Sequence, residues 1–176
     1  SVSFGSKTVL SDVSADYRDD ELVQRLEASV REKGRGFAQS IRFYFAQPGT
    51  DSVRSILREV TVHPNTSMSS RFIKQLRSVP SGSGLIALAD TVTIQSISVD
   101  KNVVHVDFSA GFITSIANLS RPGERLMLTA LANTFCEYYG VSQFDITIDG
   151  ELYESQYRFF LPEEYVKPDF ENVKRY

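Results

Sequence analysis

Residues 96–150 open with Ser96-Ile97-Ser98-Val99-Asp100-Lys101-Asn102-Val103-Val104-His105-Val106-Asp107-Phe108 and close with Phe144-Asp145-Ile146-Thr147-Ile148-Asp149-Gly150, and this stretch decides the fold. Val104, Val106 and Phe108 share one parity, as do Phe144, Ile146 and Ile148, a period of two that marks half-buried strands. Asp100-Lys101-Asn102 supplies turn chemistry between two alternating runs, so residues 97–108 are predicted to form a hairpin. Upstream, Val92 and Ile94 fall on one parity and Ile97 and Val99 on the other, which predicts a bulge near Gln95-Ser96. Between hairpin and closing strand, Leu128, Leu131, Phe135 and Tyr138 keep helical spacing. Pro122 suits the first helical turn, where its missing N–H costs nothing, and Gly140 supplies a left-handed stop. Residues 109–120 are polar and irregular, with Phe112, Ile113 and Ile116 able to form a helical turn.

Working outward, Ile41, Phe43 and Phe45 alternate through residues 40–46, and Ile56, Arg58, Val60 and Val62 through residues 55–63, so two further strands are expected. Phe72, Ile73 and Leu76 form the apolar stripe of a short helix that Ser78 to Gly84 ends. The order β, β, α, β, β, α, β has too few helices for a doubly wound sheet. The expected fold is α+β, a two-layer sandwich of a mixed sheet with two helices on one face, over residues 40–151.

Two extensions flank it. Residues 1–39 are expected to carry one helix, with Asp19-Asp20-Glu21 favoured at its start by the helix dipole and Leu22, Leu26 and Val30 as its stripe. Residues 152–176 hold Tyr153, Tyr157, Phe159, Phe160, Tyr165, Phe170 and Tyr176, and Pro162 and Pro168 prevent one continuous helix. Disordered tails are poor in aromatics, so this segment is expected to pack, either on its own domain or on a partner.

The 176-residue chain has a net charge of -3, which gives no electrostatic reason to expect nucleic acid. It lacks an apolar run long enough to span a bilayer. It begins Ser1-Val2-Ser3 without Met, so membrane association is expected only through an anchor that precedes it. The lone Cys136 falls in a helical stretch and reads as a buried structural thiol.

Chemistry is sparse. His105 and Asp107 protrude from one strand face about 7 Å apart, a geometry that an acid–base or metal pair could use but that also arises on any open sheet face. Asp107, Asp145 and Asp149 are the best carboxylates for cleaving a glycosidic bond, although Asp149-Gly150 reads better as a turn. Pro80-Ser81-Gly82-Ser83-Gly84 lacks the Lys-Ser/Thr of a phosphate loop, and no Cys/His spacing suits zinc. Neither catalytic residues, cofactor nor metal is assigned from the residues.

The order of elements resembles the GerMN domain of bacterial sporulation and spore germination proteins and of certain envelope lipoproteins. The residues that carry the resemblance are Ile41-Arg42-Phe43-Tyr44-Phe45-Ala46, Phe72-Ile73-Lys74-Gln75-Leu76, the hairpin Ile97 to Ser109, Leu131-Ala132-Asn133-Thr134-Phe135, and Phe144 to Glu151. Where the family commonly has Gly-Pro after its first helix, this chain has Ser78-Val79-Pro80-Ser81-Gly82. The resemblance implies a module like the ring-building folds of secretion machines, located outside the cytoplasmic membrane and often tethered to it. The expected function is therefore a non-catalytic scaffold that binds an envelope protein or itself. A peptidoglycan-binding or wall-hydrolysing domain and a ligand-sensing regulatory domain stand as alternatives. Expected partner contacts are Arg71, Lys74, Arg121 and Arg125 at the helix rims and Tyr157, Phe159 and Phe160 in the aromatic tail.

Overall fold

The computed structural model describes residues 37–176, so the helix expected within residues 1–39 lies outside the described residues. The chain divides into two compact units. The larger comprises Gln39–Val60 and Thr66–Tyr176, and the described residues of the smaller are Phe37, Ala38 and Thr61–Asn65.

The elements are β1 (Phe37–Ala46), β2 (Val53–Val62), α1 (Met68–Leu76), β3 (Ile94–Asp100), β4 (Val103–Phe108), α2 (Gly111–Ser115), α3 (Arg121–Tyr139), β5 (Gln143–Ile148), β6 (Glu151–Leu152) and β7 (Val173–Arg175). The class is α+β, as the alternation predicts. The strands divide between two sheets, ordered β1-β2-β7 and β3-β4-β5-β6, where the sequence leads one to expect a single mixed sheet. The reason is local: the outer edge of β1 is taken by other groups. Thr134 Oγ1 accepts from the Tyr44 N–H at 3.0 Å, and the Ala46 carbonyl accepts from the Ile86 N–H at 3.1 Å.

The hairpin forms as predicted, with a register shift between Ile94 and Ser96 and with Lys101 in the left-handed region at φ 58°. The parallel pairing of β4 with β5 sets His105 opposite Asp145 and Asp107 opposite Thr147. Asp149 and Gly150 both adopt positive φ, 50° and 80°, as a tight two-residue turn into β6 requires.

Helix α3 starts where Ser120 accepts from the Gly123 N–H at 3.1 Å and stops at Gly140, whose φ is 69°. It is buried on two sides. Phe135 stacks on Phe144 of β5, while Ala130 joins Tyr44 and Val53 on the three-stranded sheet side. Two aromatic runs hold the core. Phe43, Phe72, Phe135 and Phe144 link β1, α1, α3 and β5 through successive ring distances of 5.8, 4.8 and 5.7 Å. Phe108, Phe112, Tyr153 and Phe160 link β4, α2 and the tail through 4.9, 6.1 and 5.1 Å.

Candidate functional site

Strand alternation sends Val104, Val106 and Phe108 into the core beneath α3 and leaves His105 and Asp107 on the opposite, open face. Because β5 runs parallel in register, its Asp145 and Thr147 stand beside them. His105 Nδ1 and Asp145 Oδ2 are 2.7 Å apart, an ion pair whenever the imidazole is protonated. The ring of Tyr165 meets the imidazole edge-on, with centroids 6.2 Å apart. One row along, Asp107 Oδ1 accepts from Thr147 Oγ1 at 2.6 Å and from the Gly150 N–H at 2.8 Å. Asp149 is bonded by the amide of Gln95 in the bulge. The three carboxylates that the sequence nominates therefore share one region, and each is engaged: Asp145 by the imidazole, Asp107 and Asp149 by the turn and the bulge. His105 pairs with Asp145 across strands rather than with Asp107 along its own strand. Among the described residues no group of three or more His, Cys, Asp and Glu is arranged to hold a metal ion.

The tail segment 151–176 is held in three places, two on α3 and one on the edge of β5. Glu124, at 1% exposure, accepts from Tyr153 Oη at 2.7 Å and from Ser155 Oγ at 2.5 Å. Val166 exchanges both backbone hydrogen bonds with Phe144, at 2.8 and 2.9 Å, on the edge of β5 away from β4. The buried Asn133 side chain donates to the Asp169 carbonyl at 2.9 Å and accepts from the Asp169 N–H at 2.8 Å. The tail ends as β7, parallel to β2. Sequence reasoning missed Glu124. Its partners lie 29 and 31 residues downstream, and no local pattern announces them.

The seven expected contact residues fall in different places. Arg71 is buried in α1, with Nη1 2.9 Å from Met68 Sδ, while Lys74 is exposed in the last turn. Phe72 between them packs on Phe135, Tyr138 and Tyr139 at the C-terminal end of α3. Arg121 and Arg125 occupy the N-terminal end of α3, so helix rise separates the two basic pairs by roughly 15–25 Å. Arg121 lies over the half-buried Tyr157 ring at 5.2 Å. Arg125 lines a groove of about 410 Å³ with Asp51, Thr129, Asp169 and Asn172. Asn172 and the backbone amide of Glu171 hydrogen-bond to the Asp169 carboxylate and hold it below the usual carboxylate range. Phe160 is 7% exposed against Tyr153, a core position, whereas Phe159 is 67% exposed. Leu152 and Leu161, which the sequence did not single out, are 49% and 59% exposed on the same hairpin. Cys136 is buried, and burial pushes its thiol up to about 12.

Comparison with known proteins gives a consistent family signal. A family model described as sporulation and spore germination (Germane) matches residues 42–154. The tandem GerMN domains of the sporulation protein GerM from Bacillus subtilis superpose with a TM-score of 0.54 at 15% identity, covering 75% of this chain and 45% of that one. The chain thus spans less than half the length of that tandem structure. A protein of Clostridium perfringens described as a candidate lipoprotein gives a TM-score of 0.42 at 17% identity, over 74% of this chain and 91% of that one. The first GerMN domain of GerM alone gives 0.40 at 14%, over 65% and 84%. Among curated proteins there is no match.

Proposed function

The chain belongs to the sporulation and spore germination family whose model it matches, and on that premise we propose that it is a non-catalytic, extracytoplasmic interaction module. In this reading it helps assemble a cell-envelope or sporulation-type complex and is tethered to a membrane by a segment outside this chain. Among the described residues no helix is long and apolar enough to cross a membrane.

The observation that carries the reading is the way the tail hairpin presents apolar side chains. Tyr153 and Phe160 are locked in the core, and the Glu154–Phe159 backbone bridge fixes the hairpin between them. Phe159, Leu161 and Leu152 are thereby held out into solvent on a braced support. Clustered apolar side chains that water must hydrate, fixed rather than collapsed inward, are what a protein contact surface requires. A photo-crosslinking residue at position 159, in the full-length protein in its own cells, tests this. Adducts to a discrete envelope protein, or a ladder of this chain, support the module. Adducts confined to the same chain overturn the role of the hairpin.

The 2.7 Å His105–Asp145 pair favours a second reading, a domain that binds or cleaves peptidoglycan. Incubation with purified sacculi would then release new muropeptides, and Asp145→Asn would abolish them. Sacculi left unchanged and unbound by the wild-type protein remove this reading.

A further inference from the structure

The open face of β3, β4 and β5 and the outer side of the tail hairpin form one continuous surface. Strand register shows the continuity: Ser96 stands opposite Asp107, Asp107 opposite Thr147, and Thr147 opposite Leu152. The Phe160 N–H donates to the Tyr153 carbonyl at 2.9 Å, which carries the same face on from Leu152 to Leu161. The next row runs Ser98, His105, Asp145, with Tyr165 against the imidazole. Among the described elements, α1 lies along β3 and α3 along β4 and β5 on the other side of the sheet, under its core-facing residues. Ser96, Ser98 and Asp100 are exposed.

Two chemistries meet on this surface. Leu152, Phe159 and Leu161 make an exposed apolar edge, and Asp100, Asp107 and Asp145 stand across it with His105, while Lys101 lies in the β3–β4 turn and Lys167 follows the Val166 bridge to Phe144. Burial first, and then the negative charges of Asp145, Glu163 and Asp100, raise the Tyr165 hydroxyl, so several carboxylates act on one point.

We infer that this surface docks a basic segment of a partner protein, whose cationic side chains face Asp100 and Asp145 while its apolar side chains cover Leu152, Phe159 and Leu161. Charge complementarity selects this occupant. A second copy meeting face to face would set like carboxylates against one another, and an anionic lipid surface would meet the same repulsion. The inference rests on the interaction-module reading and adds the chemistry of the partner to it.

The test uses the full chain and two synthetic probes, a short alternating Lys-Val peptide and its Glu-Val counterpart, read by fluorescence anisotropy. Binding of the Lys-Val peptide is expected to be tighter by about tenfold or more and to weaken steeply with salt. It should fall at least about fivefold in Leu152→Ser/Leu161→Ser and again in Asp100→Lys, all exposed positions whose unchanged melting temperature confirms folding. Equal binding of the two peptides, wild-type affinity in either variant, stronger cosedimentation with phosphatidylglycerol vesicles, or concentration-dependent dimerisation that blocks the peptide would each overturn the inference. A chain that crosslinks a partner through position 159 yet fails this test keeps the module reading and loses only the basic partner. Failure of both experiments removes the module reading as well.

Discussion

Replacing Tyr153 by Phe removes one oxygen from the core and leaves the ring where it was, between Phe112 and Phe160. That oxygen donates to Glu124 at 2.7 Å, and Glu124 is sealed from water at 1% exposure. Water cannot take over the lost bond, so the cost is that of a hydrogen bond to a buried, charged acceptor, about 2 kcal/mol. For a chain of this size this lowers the melting temperature by roughly 4–8 °C. Ser155→Ala, which removes the second donor at 2.5 Å, has a cost of the same order. The informative variant is the double one. With both hydroxyls gone the carboxylate is a buried charge without these compensating donors, and the loss is expected to reach about 4–5 kcal/mol, as when a buried pair is broken. It should exceed the sum of the single losses by about 0.5 kcal/mol or more. Urea unfolding followed by circular dichroism measures all three, and proteolysis of the tail shows whether residues 154–176 are released first. A Tyr153→Phe loss below about 0.5 kcal/mol, or strictly additive losses, would refute the claim that Glu124 clamps the tail.

Burial, then the Glu124 hydrogen bond, holds the Tyr153 hydroxyl well above its ordinary value. Burial, then Glu137, does the same for Tyr44. Once unfolded, these hydroxyls ionise near pH 10 while the folded ones stay protonated, so their stabilisation is intact below about pH 10 and is lost as pH rises beyond it. Cys136, pushed up to about 12, opens the same window nearer pH 8.5. Urea midpoints should therefore fall steadily from pH 8.5 to about 11, and Tyr44→Phe should flatten the decline; a flat wild-type profile would contradict the burial of these groups. Asn133→Ala should cost about 2–3 kcal/mol through its two bonds to Asp169 and should speed tryptic cleavage at Lys167 and Lys174; unchanged cleavage would show that the tail is held elsewhere. Cys136 should react with a disulfide reagent only at the rate of unfolding, so labelling faster than unfolding would place the thiol at an accessible surface.

Local chemistry was readable from residues, and long-range pairing was not. The bulge at Gln95-Ser96, the hairpin turn at Lys101, the first-turn Pro122 and the Gly140 stop of the long helix, and the open-face position of His105 all follow from parity and turn residues a few positions apart. The His105–Asp145 pair needed the register of two parallel strands 40 residues apart, which alternation alone leaves free. Phe159 and Phe160 were indistinguishable as neighbouring aromatics until the Glu154–Phe159 bridge turned one outward and the other inward. The second sheet was invisible for the same reason, since its third strand is the short Val173–Arg175 segment rather than a neighbour in sequence.

That last pairing also imposes an order on folding. The β3–β4 hairpin closes a two-residue loop, whereas Val53 finds Val173 across 120 positions. Loop-closure entropy makes the long connection costlier by about 2 kcal/mol even relative to a ten-residue loop, so few unfolded chains visit it unaided. Strand β7 is therefore expected to join after the core has condensed, as distant contacts do in chains of high contact order. Until then one edge of β2 stands unpaired, with Leu57 exposed on the strand, a template on which another unfinished chain could add a strand. The braces that hold the tail in the finished molecule thus also shorten the time for which that edge is open to aggregation.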